Sequence, residues 1–347
     1  MFSMKSVLIK TYPDVYSKKT VIWYNQNMNI LEIKDLSLGF DTEDGFKEAL
    51  WNVSLNLEQG KTLALVGESG CGKTISAMSI LQLLPKTAKI TSGSIIYDGK
   101  NLLEYTSKEM QTIRGKEIAL IPQDPMTSLN PLYTVGEQLL EVIRIHQGIN
   151  GKEAWTKAKE AFDEVQIPSA EERLKSYPHE FSGGMKQRAI IAMALACKAK
   201  VLIADEPTTA LDVTIQAQIM KLMRQIKQDR NTAILMITHD LALVKENADN
   251  VCVMYSGRIA ESASAEIFFK NPVHPYSVAL LNSIPSGRGR NLETIKGQPP
   301  TINQIITGCR FHPRCKNAFE PCNESVPALE RVEDGHNCAC HYVNNTK

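Results

Sequence analysis

Two stretches of this 347-residue chain carry the residue types that phosphate chemistry needs. Leu63 to Thr74 reads LALVGESGCGKT, a short apolar run followed by the spacing G-x-x-x-x-G-K-[ST] of a phosphate-binding loop. Gly67, Gly70 and Gly72 let the backbone curl so that successive N–H groups aim at phosphate oxygens, with Glu68, Ser69 and Cys71 completing the turn. Lys73 places a cation on the β- and γ-phosphates, and Thr74 offers a hydroxyl to Mg²⁺. The helical pattern KTISAMSILQLL that follows points its N-terminal dipole at the same phosphates. The second stretch, VLIADEP from Val201 to Pro207, ends a buried apolar strand in two carboxylates. Asp205 suits the Mg²⁺ shell, and Glu206 is placed to polarise an attacking water as general base. Alone, such a pair would read as the acidic end of a surface strand. The glycine-rich loop upstream makes it chemistry.

A third piece, HEFSGGMKQR, puts Ser182, Gly183 and Gly184 ahead of another helical pattern, which is a second anion-binding helix start. One active site does not need two. The arrangement makes sense if this turn caps the γ-phosphate of a nucleotide held by a second subunit. In chain order come the phosphate loop, PQDP with Gln123, FSGGMKQR, LIADEPTTALD and ITHD with His239. In the order and spacing of these five motifs, from about Ile30 to Ser256, the chain resembles the ATPase subunit of an ABC transporter. The resemblance implies a head-to-tail dimer that sandwiches two ATP molecules with Mg²⁺. It also implies roles. Gln123 senses the γ-phosphate and Mg²⁺, Asp212 of TALD exchanges contacts across the dimer, and His239 holds the hydrolytic geometry. An aromatic ahead of the phosphate loop stacks on adenine in that family; Phe40 is the candidate and Phe46 the runner-up. Met185 departs from the glutamine common at its position, but FSGGMKQR is the form seen in the peptide-importer branch.

Elements must hold these groups in place. Apolar periodicity predicts a helical subdomain at about 125–182, with Ala154, Ala158, Ala161, Phe162 and Val165 in register, which the resemblance assigns to contact with a membrane permease. VTIQAQIMKLMRQIKQDR after Asp212 reads as an amphipathic core helix, and AILMIT and VCVMY complete an α/β sheet. The fold expected is an α/β P-loop NTPase with a helical subdomain and a cysteine-rich C-terminal extension, divided at 29–256 and 257–347. Residues 1–28 read as a loosely ordered extension, too broken by Pro, Ser and Lys for a secretory signal, with Met28 as an alternative start. Hydrophobic residues make up 43% of the chain, and a net charge of +1 gives no global argument for nucleic acid or an anionic membrane. No apolar run approaches the length of a membrane span. The expected location is the cytoplasmic face of the cell membrane, where thiols stay reduced.

Five of the eight cysteines fall beyond residue 300. Cys309, Cys315, Cys322 and Cys340 follow C-x5-C-x6-C-x17-C, unlike the paired C-x2-C hooks of structural zinc. Four thiolates suit zinc or an iron–sulfur cluster, and the plainer reading is unliganded thiols in a tail. Cys197 and Cys252 sit in apolar segments and read as small buried hydrophobes. From Gly257 the composition turns proline-rich, and NPVHPYSVALLNSIPSG resembles the C-terminal extension of oligopeptide, dipeptide and nickel importer ATPases. That branch implies a [4Fe–4S] cluster, with Cys340 as fourth ligand and Cys338 spare. It also implies a second, related ATPase as heterodimer partner, two permeases and an extracellular substrate-binding protein, with no nucleic acid. Within the branch, peptide transport leads and nickel or metal-chelate import is the alternative. A soluble ABC ATPase acting on nucleic acid or ribosomes is the rival from another class; its usual second cassette or coiled-coil insertion is missing from this sequence.

Overall fold

A computed structural model describes residues 29–209, 211–283, 295–304 and 306–345. The expected N-terminal extension, 1–28, lies outside the described residues. Two sheets organise the rest. Strands Asn29–Thr42, Gly45–Glu58, Ala88–Tyr97 and Lys100–Asn101 make an antiparallel sheet. The second sheet has parallel strands at its centre, where Thr62–Val66 lies between Ala233–Thr238 and Asn250–Tyr255. Val201–Asp205 pairs on the far side of Ala233–Thr238, and Ile118–Ile121 lies beyond it.

The central strands are apolar on both faces because both faces are covered. Leu63 and Leu65, with Val201, Ile203, Leu235 and Ile237, pack toward the antiparallel sheet and its Leu31, Ile33, Leu55 and Leu57. Ala64 and Val66, with Leu202, Ala204 and Met236, pack toward helices Gly183–Ala196 and Val213–Arg230. The period-two alternation of a strand thus divides one run of sequence between two cores. Each fully buried Leu or Ile side chain contributes about 1.5–3 kcal/mol. Helices Val135–Gln147, Gly151–Glu164 and Ala170–Arg173 occupy the stretch read as the helical subdomain, burying Ala154, Ala158 and Phe162 against the second core.

The composition changes at Gly257, yet the sheet runs on through that point. Ser256 and Gly257 both have positive φ and form a two-residue turn that sends Arg258–Ser264 back antiparallel to Asn250–Tyr255. His336–Cys338 then pairs with Arg258–Ser264, and Glu330–Glu333 forms the new edge. A buried polar knot fastens this addition. Glu261 accepts from the amides of Val273 and His274 at 3.0 and 2.9 Å and lies 2.7 Å from Nε2 of His336. Glu261 and His336 are both fully buried. His274 Nδ1 accepts from the Tyr276 amide, and its ring also hydrogen-bonds the Ala339 backbone. Burial pushes the His274 pKa down to about 4, against the pull of the Glu261 charge.

The folded state therefore disfavours protonated His274 while the unfolded chain accepts it. Its stabilising contribution is complete above the ordinary histidine pKa of 6.5 and is lost as pH falls from there toward 4. Chemical denaturation between pH 7 and pH 4 should show stability falling by about 1.4 kcal/mol per pH unit from this group. The variant His274→Gln should lose that component of the slope.

Candidate nucleotide site

The parallel register decides which chain segments meet. Val66 pairs with Thr238, and Asp205 pairs with Ile237 on the other side, so the phosphate loop, Glu206 and His239 leave the sheet at one edge. The loop 67–72 uses positive φ at Gly67, Gly70 and Gly72. At Gly67 a Cβ would lie 2.2 Å from the Met254 carbonyl and 2.8 Å from Cys71 Sγ, so only glycine fits. Lys73 is buried, and its Nζ donates to the carbonyls of Gly67 and Glu68 at 2.8 and 3.0 Å. Helix Lys73–Ile80 starts directly from Gly72. Cys71 is buried as well, and burial raises its thiol pKa despite the nearby Lys73, which makes it a poor site for oxidation.

Asp205 hydrogen-bonds the Thr74 side chain and is almost fully buried. Burial raises its pKa, the Glu206 charge adds to this, and Thr74 and Lys73 pull the other way. Its Oδ1 has no hydrogen-bond partner. An orphaned, buried carboxylate oxygen beside a threonine hydroxyl fits a hard cation such as Mg²⁺. Glu206 has φ 48, a left-handed conformation that costs a non-glycine residue about 1–3 kcal/mol. Its amide is tied to Ile237 O at 2.8 Å, its Oε1 lies 3.1 Å from His239 Nδ1, and its Oε2 accepts from Thr209 at 3.1 Å. Burial pushes the Glu206 pKa up, but the His239 and Thr209 bonds and the Lys73 charge outweigh it and leave the carboxylate ionised.

Ser69, Gly70, Gly72, Lys73, Thr74, Gln123, Glu206 and Phe40 line one cavity of about 310 Å³, while Gly67, Glu68, Cys71, Asp205 and His239 support it from outside its lining. Phe46 does not line it; that ring is exposed on the neighbouring hairpin. Ser182, Gly183, Gly184 and Asp212 do not line it either. Ser182 caps helix Gly183–Ala196 by accepting from the Met185 amide, and Asp212 caps Val213–Arg230 through the Ile215 amide. The Asp212 charge reaches Arg188 of the first helix, so the two helix starts face the same region. Gln187 links that helix to the carboxylate strand by donating to Pro207 O at 2.9 Å.

Comparison with known proteins gives the same picture. The ABC transporter family model matches residues 50–209, and that for the oligopeptide/dipeptide transporter C-terminal region matches 260–322. A probable peptide ABC transporter ATP-binding protein of Sinorhizobium fredii is 49% identical, covering 91% of this chain and 95% of the relative. The oligopeptide transport ATP-binding protein OppD of Salmonella typhimurium is 48% identical over 90% of this chain and 93% of its own length. This chain belongs to the family of peptide ABC transporter ATP-binding proteins. Among solved structures, a dimeric ATP-binding cassette in a post-hydrolysis state with ADP and Pi matches with a TM-score of 0.62 at 25% identity, covering 68% of this chain and 98% of that one.

In this ABC ATPase the structure also joins the C-terminal region to the phosphate loop, through residues that the motif pattern did not single out. Arg314 is part-buried, with its side chain 6% exposed, and forms a bidentate pair with Glu68, Nη1 to Oε2 at 2.6 Å and Nη2 to Oε1 at 2.9 Å. Its remaining donors reach Tyr255 Oη and the carbonyls of Lys296 and Gly297. The Glu68 amide donates to Tyr276 Oη at 2.9 Å. The sequence signal was present, since Arg310 and Arg314 lie between Cys309 and Cys315, but a guanidinium among cysteines names no partner. Among the described residues no group of three or more His, Cys, Asp or Glu side chains is drawn closely enough to hold a metal ion. None of the eight cysteines forms a disulfide. Burial raises Cys309 to about 11 and also raises Cys315 and Cys340, and the charges of neighbouring thiolates add to it: Cys340, Cys322 and Cys315 act on Cys309. These four thiols thus lie within electrostatic reach of one another.

Asp205→Asn should raise the melting temperature of the metal-free protein, because it removes a buried carboxylate whose Oδ1 lacks a partner. The same variant should lose the Mg²⁺-dependent part of nucleotide stabilisation, about 2.7 kcal/mol for a ligand at a hundred times its Kd. Thermal melts with ATP, with and without Mg²⁺, measure both.

Proposed function

We propose that this chain is the ATP-hydrolysing subunit that energises an importer of oligopeptides or dipeptides. The observation that carries the reading is the single cavity shared by the phosphate loop, Gln123 and Glu206, on a chain matched along nine-tenths of its length by peptide transport ATP-binding proteins. Bound Mg²⁺ would supply charge neutralisation between the phosphates, held by Thr74 and Asp205 with Gln123 beside it. Lys73 swings from the Gly67 and Glu68 carbonyls to the β- and γ-phosphates. Glu206, ionised and fixed by Thr209, takes a proton from the attacking water, and His239 orients it. Ser182–Gly184 and Asp212 lie outside this cavity because they serve the nucleotide of a second, related ATPase across a head-to-tail dimer. That pair sits on the cytoplasmic face of the membrane beneath two permeases, fed by an extracellular substrate-binding protein. No helix among the described residues is long and apolar enough to cross a membrane, so the permeases provide the path.

The C-terminal cysteine module is part of the same proposal. Cys309, Cys315, Cys322 and Cys340 would hold a [4Fe–4S] cluster, with Cys338 occupied in the strand beside Glu261. The mutual electrostatic influence of those four thiols supports this set.

Two measurements test the proposal. Glu206→Gln should bind ATP yet hydrolyse it at least about a hundredfold more slowly, in line with loss of a general base; near-normal turnover refutes the assignment. Protein purified without oxygen should carry iron and absorb visible light, and Cys322→Ser should lose both. A colourless, zinc-loaded preparation sinks the cluster.

A further inference from the structure

The nucleotide cavity does not end at the motifs. The lining shared with Lys73, Thr74 and Phe40 also includes Trp51, Ser256 and Gly257, together with Pro300, Thr301, Ile302 and Arg310 of the C-terminal region. The loop amides and Lys73 fix where phosphate binds, so whatever is joined to the phosphates must lie against the rest of this lining. Here Arg310 is held as a plane. Its guanidinium carbon lies 3.4 Å from the centroid of the Trp51 ring, and Nη1 donates to Ser256 Oγ at 3.2 Å. The platform beneath it is itself fixed. The Trp51 amide bonds Gly257 O at 2.9 Å, and a Cβ on Gly257 would lie 2.6 Å from the indole and 2.0 Å from Ala49 O. Burial lowers the Arg310 pKa to about 10, with Arg258 pushing the same way and Glu48 opposing, so the group keeps its charge at neutral pH.

We infer that Arg310, stacked on Trp51, is a nucleotide-binding residue that the C-terminal region contributes to the cassette's own site, and that it engages the nucleoside of ATP. The guanidinium has five N–H donors and no acceptor. With one donor spent on Ser256 and its plane set by the indole, the others face a ligand rich in acceptors, the ribose oxygens and the ring nitrogens of the base. Phe40 offers a stacking face in the same cavity. The C-terminal module thereby reads the end of the nucleotide that the phosphate loop cannot reach. None of the five motif stretches of this chain includes Trp51 or Arg310. The inference rests on reading the cavity as an ATP site, and the test separates the two.

Calorimetric binding to the full-length protein uses ADP and, as a probe without a nucleoside, inorganic pyrophosphate. Arg310→Ala should weaken ADP binding about tenfold, the scale of one charge-assisted hydrogen bond, and leave pyrophosphate within about twofold. Arg310→Lys keeps a point charge without the stacked plane and should recover less than half of the lost affinity on a logarithmic scale. Trp51→Leu, which leaves the cysteine module's own residues untouched, should give the same split between ADP and pyrophosphate. Unchanged ADP affinity in both Arg310→Ala and Trp51→Leu overturns the inference. So does an equal loss for pyrophosphate, which would place the effect in the phosphate loop through the neighbouring Arg314–Glu68 pair. If the unmodified protein binds neither ligand, the ATP reading fails and the inference falls with it.

Discussion

Everything chemical in this protein depends on the pairing of three parallel strands. Thr62–Val66, Ala233–Thr238 and Val201–Asp205 lie side by side, and each ends in a residue that must meet the others. A register slip of one residue would turn Glu206 away from His239 and exchange the two cores, since alternate side chains on each strand serve opposite faces. Burial on both faces makes that slip expensive, and this holds a glutamate in left-handed backbone at the strand end. The Ile237 carbonyl that receives the Glu206 amide belongs to the same ladder. Site geometry and core packing are set by one register.

The second dependency runs from the C-terminal region into the phosphate loop. Glu68 occupies a variable position of the loop motif, yet it is gripped at both ends, by Tyr276 on its amide and by Arg314 on its carboxylate. Removing one partner of this part-buried pair leaves the other charged without full compensation, which costs more than the about 1 kcal/mol of an exposed pair. The loop's shape is therefore set partly by glycine and partly by residues some 210 to 250 positions downstream. Arg314 directly precedes Cys315, so whatever fixes the thiol module also fixes the arm that holds Glu68.

The motifs were legible because phosphate chemistry restricts residue type and spacing together. G-x-x-x-x-G-K-[ST], the strand before Asp205–Glu206, and the SGG turn before a helix each state their local structure. The apolar runs also revealed the central strands, and 3.6-residue periodicity revealed the helices of the segment after Gln123. Contacts that depend on which distant surfaces meet were not legible. Arg314 with Glu68, Arg310 on Trp51 and the Glu261–His336 pair each join residues separated by 75 to about 260 positions, and a lone Arg, Trp or Glu has no periodicity to betray its partner. At Gly257 the composition changes character, and a Ser-Gly turn with two positive φ values carries the sheet across the same point.

The edge of that sheet has a consequence for the chain's history. Arg258–Ser264 hydrogen-bonds on one side to the cassette and on the other to His336–Cys338, with the Ala339 amide donating to Ala260 O. Without the residues that follow Ser264 this strand would present a row of bare amides and carbonyls, an invitation to pair with another copy. Glu261 would lose His336 from beneath a closed roof, and Glu68 would lose its clamp. The cysteine region is thus not a pendant on the cassette; it has become a keystone, closing the sheet's edge, the buried glutamate and the phosphate loop at once.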